Sequence, residues 1–560
     1  MALMLVVAAC GGDGNDTTTT AAGGGDDTTT TAGGGGDETT TTADGGSSDD
    51  DPRARTLIYG ADLSTEISWD PHIASVGLEN AINPIAYDTL IAYDGNDLTT
   101  LVPSLATEWE VAESGDRFTF TLDPAATFNT GNKVTAEDVA FSFMRLKHIA
   151  GPASYLAEAI TSVDVVDEET VAVNIANPNA AFLRLLTDPH YVVLEAAVVR
   201  EHGGTDAENA AEVDTATAWL GENSAGSGSF QLESVVPNDQ LVFVTNPNAW
   251  RPAVYFERVI VQNAARNATQ AAAVQQGDID ITQNMAPQII ESLPNNASVA
   301  PYGSPGTTWY FVAMNRNPEL NEGIANEDVQ RAVHLALDYE GMYAMGPSLA
   351  PWYGMVPDYF PGGVTKEQAV TQDVDEAKAL MAGAGYSDGF EVELCTSSAS
   401  SAQPTMLDFA QKVQSDLAEI GITIQITAMD GSAFLTRYRA GECAMVLTID
   451  GPTLLDPTHM LDFTPNGGRA QRIGWIDGNL GSDGQRILDQ VAVATAETDE
   501  DARLAAWNEI VVDIAHNGPY VSIASMSYQY LASSDLEGLD KWANSHTEFN
   551  AAQMSRSTGN

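Results

Sequence analysis

The sequence predicts an α/β fold with more than one globular unit, and three observations carry that expectation. A chain of 560 residues, 44% of them hydrophobic, can fill two or three packed units with large cores. Residues 390–395, 404–420, 422–428, 432–440 and 443–449 alternate strand-like and helix-like patterns. Such a β-α-β-α-β order argues for a parallel sheet with right-handed crossovers. Finally, residues 101–148 read as a hairpin packed on an amphipathic helix.

That last stretch is the most explicit. Trp109 and Val111 alternate with polar neighbours, the turn residues 113–116 follow, and Phe118, Phe120 and Leu122 alternate again on the return strand. After the polar corner 129–133 a helix is expected from Thr135, with Asp138 as capping-box partner. Ala136, Val139, Phe143 and Leu146 form its apolar face, Arg145, Lys147 and His148 put positive charge at its C-terminal dipole end, and Gly151-Pro152 stops it. Elsewhere, 56–60 reads as a strand, 160–175 as a hairpin with an acidic turn, 262–282 as a helix then a strand, and 519–523 as a late strand.

The run of Trp109, Val111, Phe118-Thr-Phe-Thr-Leu122 and Phe128-Asn-Thr-Gly-Asn-Lys-Val-Thr-Ala-Glu-Asp-Val-Ala-Phe-Ser142 resembles the signature segment of the extracellular solute-binding proteins that serve ABC importers of dipeptides, oligopeptides and nickel. Phe128, Gly131, Thr135, Ala136, Asp138, Val139, Phe141 and Ser142 match it, whereas Asp123 stands where a basic residue is usual. Further elements occur in the family's order: Asp70-Pro71, Tyr87-Asp88, the glycine-rich 225–230, Asn246-Pro247 before Trp250, Gly277 to Asp280, the helix 328–338 and the segment 375–386. The resemblance covers residues 56 to about 531. It implies a two-lobed, periplasmic-binding-protein-like (type II) fold with the ligand cleft between lobes. Lobe I is then expected over 56–310 and 525–560 and lobe II over 311–524.

Charge and termini bear on location. Against 24 basic residues stand 78 acidic ones, net −54, a surface that repels phosphate backbones and anionic headgroups and excludes nucleic-acid binding. No run of eighteen apolar residues occurs. Residues 1–9 are short and apolar, and Val7-Ala8-Ala9-Cys10 fits the pattern preceding a lipid-modified cysteine, so 1–10 is expected to be a partial lipoprotein signal whose basic start lies upstream. Residues 11–55, rich in threonine tetrads, glycine and acids, cannot bury a core and are expected to be a disordered tether, with a reach of roughly 30–40 Å. Cys395 and Cys443 could pair in an exported protein. If their strands are parallel neighbours, the thiols lie about four residues out of register, roughly 13 Å apart at ~3.3 Å per residue, and two buried free thiols are expected.

No catalytic constellation emerges. The eight histidines form no metal-binding pair, 226–230 lacks the spacing of a nucleophile elbow, and 477–483 lacks the final acid of a calcium loop, so neither enzyme activity, a metal nor a cofactor is expected. A two-lobed binder needs aromatic walls and a few polar groups. Trp69, Trp309, Tyr310, Trp352, Tyr353 and Trp475 read as loop residues and are candidates for those walls; each also fits an ordinary core position.

The resemblance further implies an Asp that pairs with a peptide α-ammonium, and the corresponding position is Asp450, ahead of Asp456-Pro457. Asp450 could equally cap the loop into Gly451-Pro452. Residues 396–404 hold no Arg for a ligand carboxylate, which disfavours a dipeptide. The implied function is a monomeric, lipid-anchored substrate-binding component that captures peptides outside the cytoplasmic membrane and docks on a permease. An oligosaccharide or metal-chelate cargo, a sensor, and a secreted hydrolase are the rivals.

Overall fold

The structure, a computed structural model, describes residues 52–63, 68–74, 79–179, 181–283, 285–293, 296–304, 306–398, 404–451, 456–542 and 550–557. Cys10, the signal segment 1–10 and the expected tether as far as Asp51 lie outside them.

Two sheets carry lobe I. The seven-stranded sheet is ordered Val299–Ser304, Tyr528–Ser533, Ile281–Thr282, Thr56–Ala61, Arg258–Asn263, Gln240–Thr245 and Phe230–Val236. Its central strand buries Leu57, Tyr59 and Ala61, and pairs in parallel with Arg258–Asn263. Asp280, the acid of the Gly277-to-Asp280 motif, fastens both ends of the folded chain to this sheet. Its carboxylate accepts from Arg53 at 2.7 and 2.9 Å, from Arg556 at 2.6 Å and from the Ile58 amide at 2.8 Å.

The four-stranded antiparallel sheet runs Ala106–Val111, Arg117–Leu122, Thr170–Ile175, Ile160–Val165. Phe118, Phe120 and Leu122 point inward on alternate positions, as the period-2 pattern requires. Against it lies the helix Ala136–His148. The Thr135 amide donates to Asp138 at 2.9 Å, and Ala136, Val139, Phe143 and Leu146 are all fully buried. The expected dipole role of Arg145 is overridden by tertiary structure. Arg145 is wholly buried and forks onto Asp70 (2.7 and 3.0 Å) and Asp214 (2.8 and 3.1 Å), so the Asp-Pro motif at 70–71 supplies a buried counter-charge.

Lobe II is built on a six-stranded sheet ordered Leu349–Pro351, Tyr520–Met526, Trp309–Met314, Met445–Asp450, Phe390–Ser397, Ile422–Met429. The last three strands are mutually parallel, with helices Met406–Ala418 and Gly431–Arg439 as crossovers. Trp309–Met314 is antiparallel to both its neighbours, so the sheet as a whole is mixed. Every residue of that strand is buried because both sheet faces are covered: Trp309, Phe311 and Ala313 enter one core cluster, Tyr310, Val312 and Met314 the other.

The chain changes lobes twice, between Ser304 and Trp309 and again between Met526 and Tyr528. The two changeovers run side by side and antiparallel. Ser304 is opposite Tyr528, the Met526 amide donates to the Thr308 carbonyl at 3.1 Å, and Trp309 is opposite Ser525. Gly306 lies between, where a Cβ would overlap the Met526 carbonyl oxygen.

The free-thiol expectation is overturned: Cys395 and Cys443 form a disulfide, with Cα atoms 6.0 Å apart. The strands are parallel neighbours, and Val446 faces Cys395, so an extended chain would carry Cys443 past it to Val392. Cys443 is not part of the strand, which begins at Met445, and the bend at Ala444 brings it to Cys395 instead. The bond closes a loop spanning 48 residues. Removing it, as Cys395→Ala with Cys443→Ala, is expected to cost ~3–4 kcal/mol on loop entropy alone, read as a lower Tm that reductant reproduces in the unmutated protein.

Lobe II also buries His334, whose Nε2 is 2.8 Å from the Gly518 carbonyl. Burial lowers its pKa to about 4. Its native state therefore binds fewer protons than the unfolded chain, and its contribution is present above pH 6.5 and lost as pH falls toward 4. His334→Gln is expected to flatten the fall in unfolding free energy between pH 6.5 and 4 by about 3 kcal/mol, measured by urea titration at several pH values.

Candidate functional site

The space between the lobes adjoins the paired changeovers, and the strand that leaves them into lobe II begins with Trp309. Its ring stacks on Trp352 (4.9 Å between centroids, 7° between planes) and meets Phe463 at 5.8 Å and His459 at 6.4 Å. Both indoles are almost completely buried. Burial lowers the His459 pKa to about 4 against the opposing pull of Asp450, so the imidazole is neutral at pH 7. Tyr310, on the opposite sheet face, packs on Phe409 at 4.5 Å. Trp475 is fully buried beneath Arg316 (5.2 Å) and donates to the Leu480 carbonyl at 2.9 Å.

Of the six aromatic candidates, then, Trp309, Tyr310, Trp352 and Trp475 belong to the lobe II core and present no free ring face. Trp69 and Tyr353 are half-buried and keep some surface. The structure brings Trp309 and Trp352 together; Trp69 packs instead on the lobe I core. Loop placement misled for Trp309 and Tyr310, because they open a central strand covered on both sides.

Asp450 ends the strand Met445–Asp450, directly opposite Trp309 in the antiparallel register. Its carboxylate has an internal cation. Arg469 donates to it through Nε and through Nη2 at 2.9 Å, and the Gly451 amide donates at 2.8 Å. The same guanidinium reaches Asp462 through Nη1, and it lies 5.1 Å over the Phe463 ring. Burial opposes the Arg469 charge, but the Asp450 bond outweighs it and holds the guanidinium above its ordinary pKa. Asp450 thus caps the turn into Gly451 and is ion-paired at once. A carboxylate offers about four acceptor positions. Among the described residues three are used, and the Asp450 side chain keeps 12% of its surface.

Asp456 is placed differently. Its side chain is fully buried, caps the turn Pro457–Phe463 through the Thr458 amide at 2.9 Å, and takes both Nη groups of Arg503 at 3.0 and 2.6 Å. Neither Arg469 nor Arg503 stands out by motif. The available signal is scarcity, since only 24 basic residues occur in the chain and an arginine near an expected acid is informative.

A separate cavity of about 260 Å³ opens within lobe I, walled by Tyr87, Tyr93, Val102 and Pro189. Its charges are Asp88 and Arg251, paired at 2.9 Å, and Asp94, and no lobe II residue lines it, so it is not the cleft. Among the described residues no group of three or more His, Cys, Asp or Glu could hold a metal ion, and no helix is long and apolar enough to cross a membrane.

Residues 100–471 match the family model for bacterial extracellular solute-binding proteins, family 5. The chain belongs to this family. It is 26% identical over 496 residues to the probable D,D-dipeptide-binding periplasmic protein of Escherichia coli K12, covering 82% of this chain and 90% of that one. Among solved structures it resembles HbpA2 from Haemophilus parasuis, with a TM-score of 0.77 and 21% identity over 90% of this chain and all of that one. The periplasmic binding protein DppA from Helicobacter pylori in complex with the peptide STSA aligns at a TM-score of 0.60 and 22% identity, covering 90% and 98%. The two-lobed, type II architecture is that of the family.

Arg469 is the only partner that neutralises Asp450 in the described residues. Arg469→Met is therefore expected to destabilise lobe II by about 3 kcal/mol, and Asp450→Asn in the same chain to recover most of that, measured by denaturant unfolding.

Proposed function

We propose that this chain is the substrate-binding component of an ABC importer that captures peptides outside the cytoplasmic membrane and hands them to a permease, tethered by lipid on Cys10. The observation that carries the reading is the family match over residues 100–471, joined by a curated relative named for D,D-dipeptide binding and a structural neighbour holding a peptide. The protein works as a monomer without cofactor, and its surface, at net −54, keeps it off nucleic acid and anionic lipid.

In this reading the peptide's α-ammonium takes the acceptor position that Asp450 has left, beside the Arg469 fork. The cation and the ammonium then share one carboxylate, so neither charge is left unpaired. Because Arg469 already neutralises Asp450, the ammonium gains less than it would from a bare acid. Asp450→Ala is expected to weaken binding by about 2 kcal/mol, roughly 30-fold, and N-acetylating the peptide to weaken binding to the unmutated protein by a similar factor. Native mass spectrometry of gently purified protein identifies the cargo; calorimetry with that peptide and its acetylated form reads the two factors. Equal affinity for both forms would retire the ammonium contact, and a neutral cargo in the spectrum would retire peptides.

A further inference from the structure

A second set of charges joins the lobes away from Asp450. Arg184 lies on the short helix Phe182–Leu185, where Phe182 is packed into lobe I against Phe118 at 5.1 Å and Tyr191 at 6.4 Å. Its guanidinium leaves that lobe. Nη2 donates to Glu500 at 3.0 Å and Nε is 3.5 Å from Asp456, both of lobe II, while Nη1 stays on the Thr99 carbonyl at 3.1 Å. Arg503 binds the same two acids, Asp456 at 3.0 and 2.6 Å and Glu500 at 3.0 and 2.9 Å. Two guanidiniums and two carboxylates therefore form one balanced group, in which Arg184 and Asp456 are almost fully buried. Beside it, the paired strands Ile91–Asp94 and Asp97–Pro103 of lobe I send Tyr93 and Leu98 into the lobe II aromatic cluster.

The group is asymmetric. Arg503 keeps both acids whatever the lobes do, whereas Arg184 holds them only while the lobes are together. Separation leaves Asp456 still paired with Arg503, so no buried carboxylate is orphaned and the contact can break and re-form. With 78 acidic residues against 24 basic ones, an interlobe cation also opposes general repulsion between the lobes.

We propose that Arg184 is an interlobe lock: it holds the lobes together through Glu500 and Asp456 and sets how often the cleft opens. The proposal rests on the solute-binding reading only in taking the lobes to separate.

The test is made on the full chain carrying Cys10→Ser and spin labels at Val165→Cys and Val493→Cys, exposed positions of lobe I and lobe II (46% and 67%). Inter-label distances are measured by double electron–electron resonance without peptide. The parent is expected to give mainly the short distance. Arg184→Gln should raise the ratio of long to short by at least about tenfold, and Glu500→Gln should move it the same way by less. Glu500 is 45% exposed and its loss leaves Asp456 on Arg503, so that variant stays folded if Arg184→Gln does not. Distances unchanged in Glu500→Gln and in folded Arg184→Gln overturn the lock. Alanine tripeptide binding to the same proteins separates the two ideas. Binding with unmoved distances removes the lock and leaves the solute-binding reading; moved distances without binding in the parent leave the lock and remove the peptide.

Discussion

The pairing of the two changeover segments is the constraint on which the rest of the molecule depends. One chain passage from lobe I to lobe II is ordinary; two passages hydrogen-bonded to each other, Ser304 to Tyr528 and Thr308 to Met526, fix where lobe II begins relative to lobe I. The same passages become strands of both large sheets, so Trp309–Met314 and Tyr520–Met526 lie at the heart of one and Val299–Ser304 and Tyr528–Ser533 at the edge of the other. The register then places Asp450 opposite Trp309, and the acid lies next to the changeovers because the sheet leaves it no other position. Gly306 is part of that constraint, since the close approach of the Met526 carbonyl admits no side chain there.

Electrostatics supplies the second level of order. In a chain of net −54 the arginines are few, and those buried or half-buried at these sites are each shared by more than one acid. Arg145 bridges Asp70 and Asp214, Arg316 bridges Glu327 and Asp483, Arg469 bridges Asp450 and Asp462, and Arg503 bridges Asp456 and Glu500. A fork with five donors suits this use. Burying such a group without its acids would be costly, so each cluster fixes the relative position of segments far apart in sequence. Asp280 inverts the pattern, gathering Arg53 and Arg556 so that the two ends of the folded chain meet on one carboxylate.

Local patterns were legible and long-range registers were not. The hairpin 106–122, the helix Ala136–His148 with its capping box, and the strand–helix run from Phe390 to Asp450 all follow from periodicity and from residues a few positions apart. The disulfide did not, because Cys443 reads as the start of the strand but lies before it, and the bend ahead of Met445 that carries it to Cys395 leaves no mark in the apolar pattern. Arg145 obeyed the dipole rule by position and broke it in space, since its acids come from residues 70 and 214. For the candidate site, resemblance alone pointed to Asp450, and no motif in the sequence pointed to its partner: Arg469 arrives nineteen residues later on a four-residue helix.

The Asp450–Arg469 pair changes what recognition at this position can mean. A bare buried carboxylate would bind a cation strongly and would also be unstable while empty, because its desolvation is uncompensated. With Arg469 in place the empty site is stable, and a ligand ammonium adds to an existing pair rather than completing a broken one. In the proposed reading, affinity from this contact is thereby limited and discrimination falls to geometry: the ammonium would have to reach the acceptor position that Arg469 and the Gly451 amide leave. Arg503 does for Asp456 what Arg469 does for Asp450, holding a carboxylate ready so that a second cation can arrive and depart without exposing an unpaired charge. The lobe II face toward the changeovers is thus built from acids already neutralised, which is what both proposals, a solute at Asp450 and the opposite lobe at Asp456, require of it.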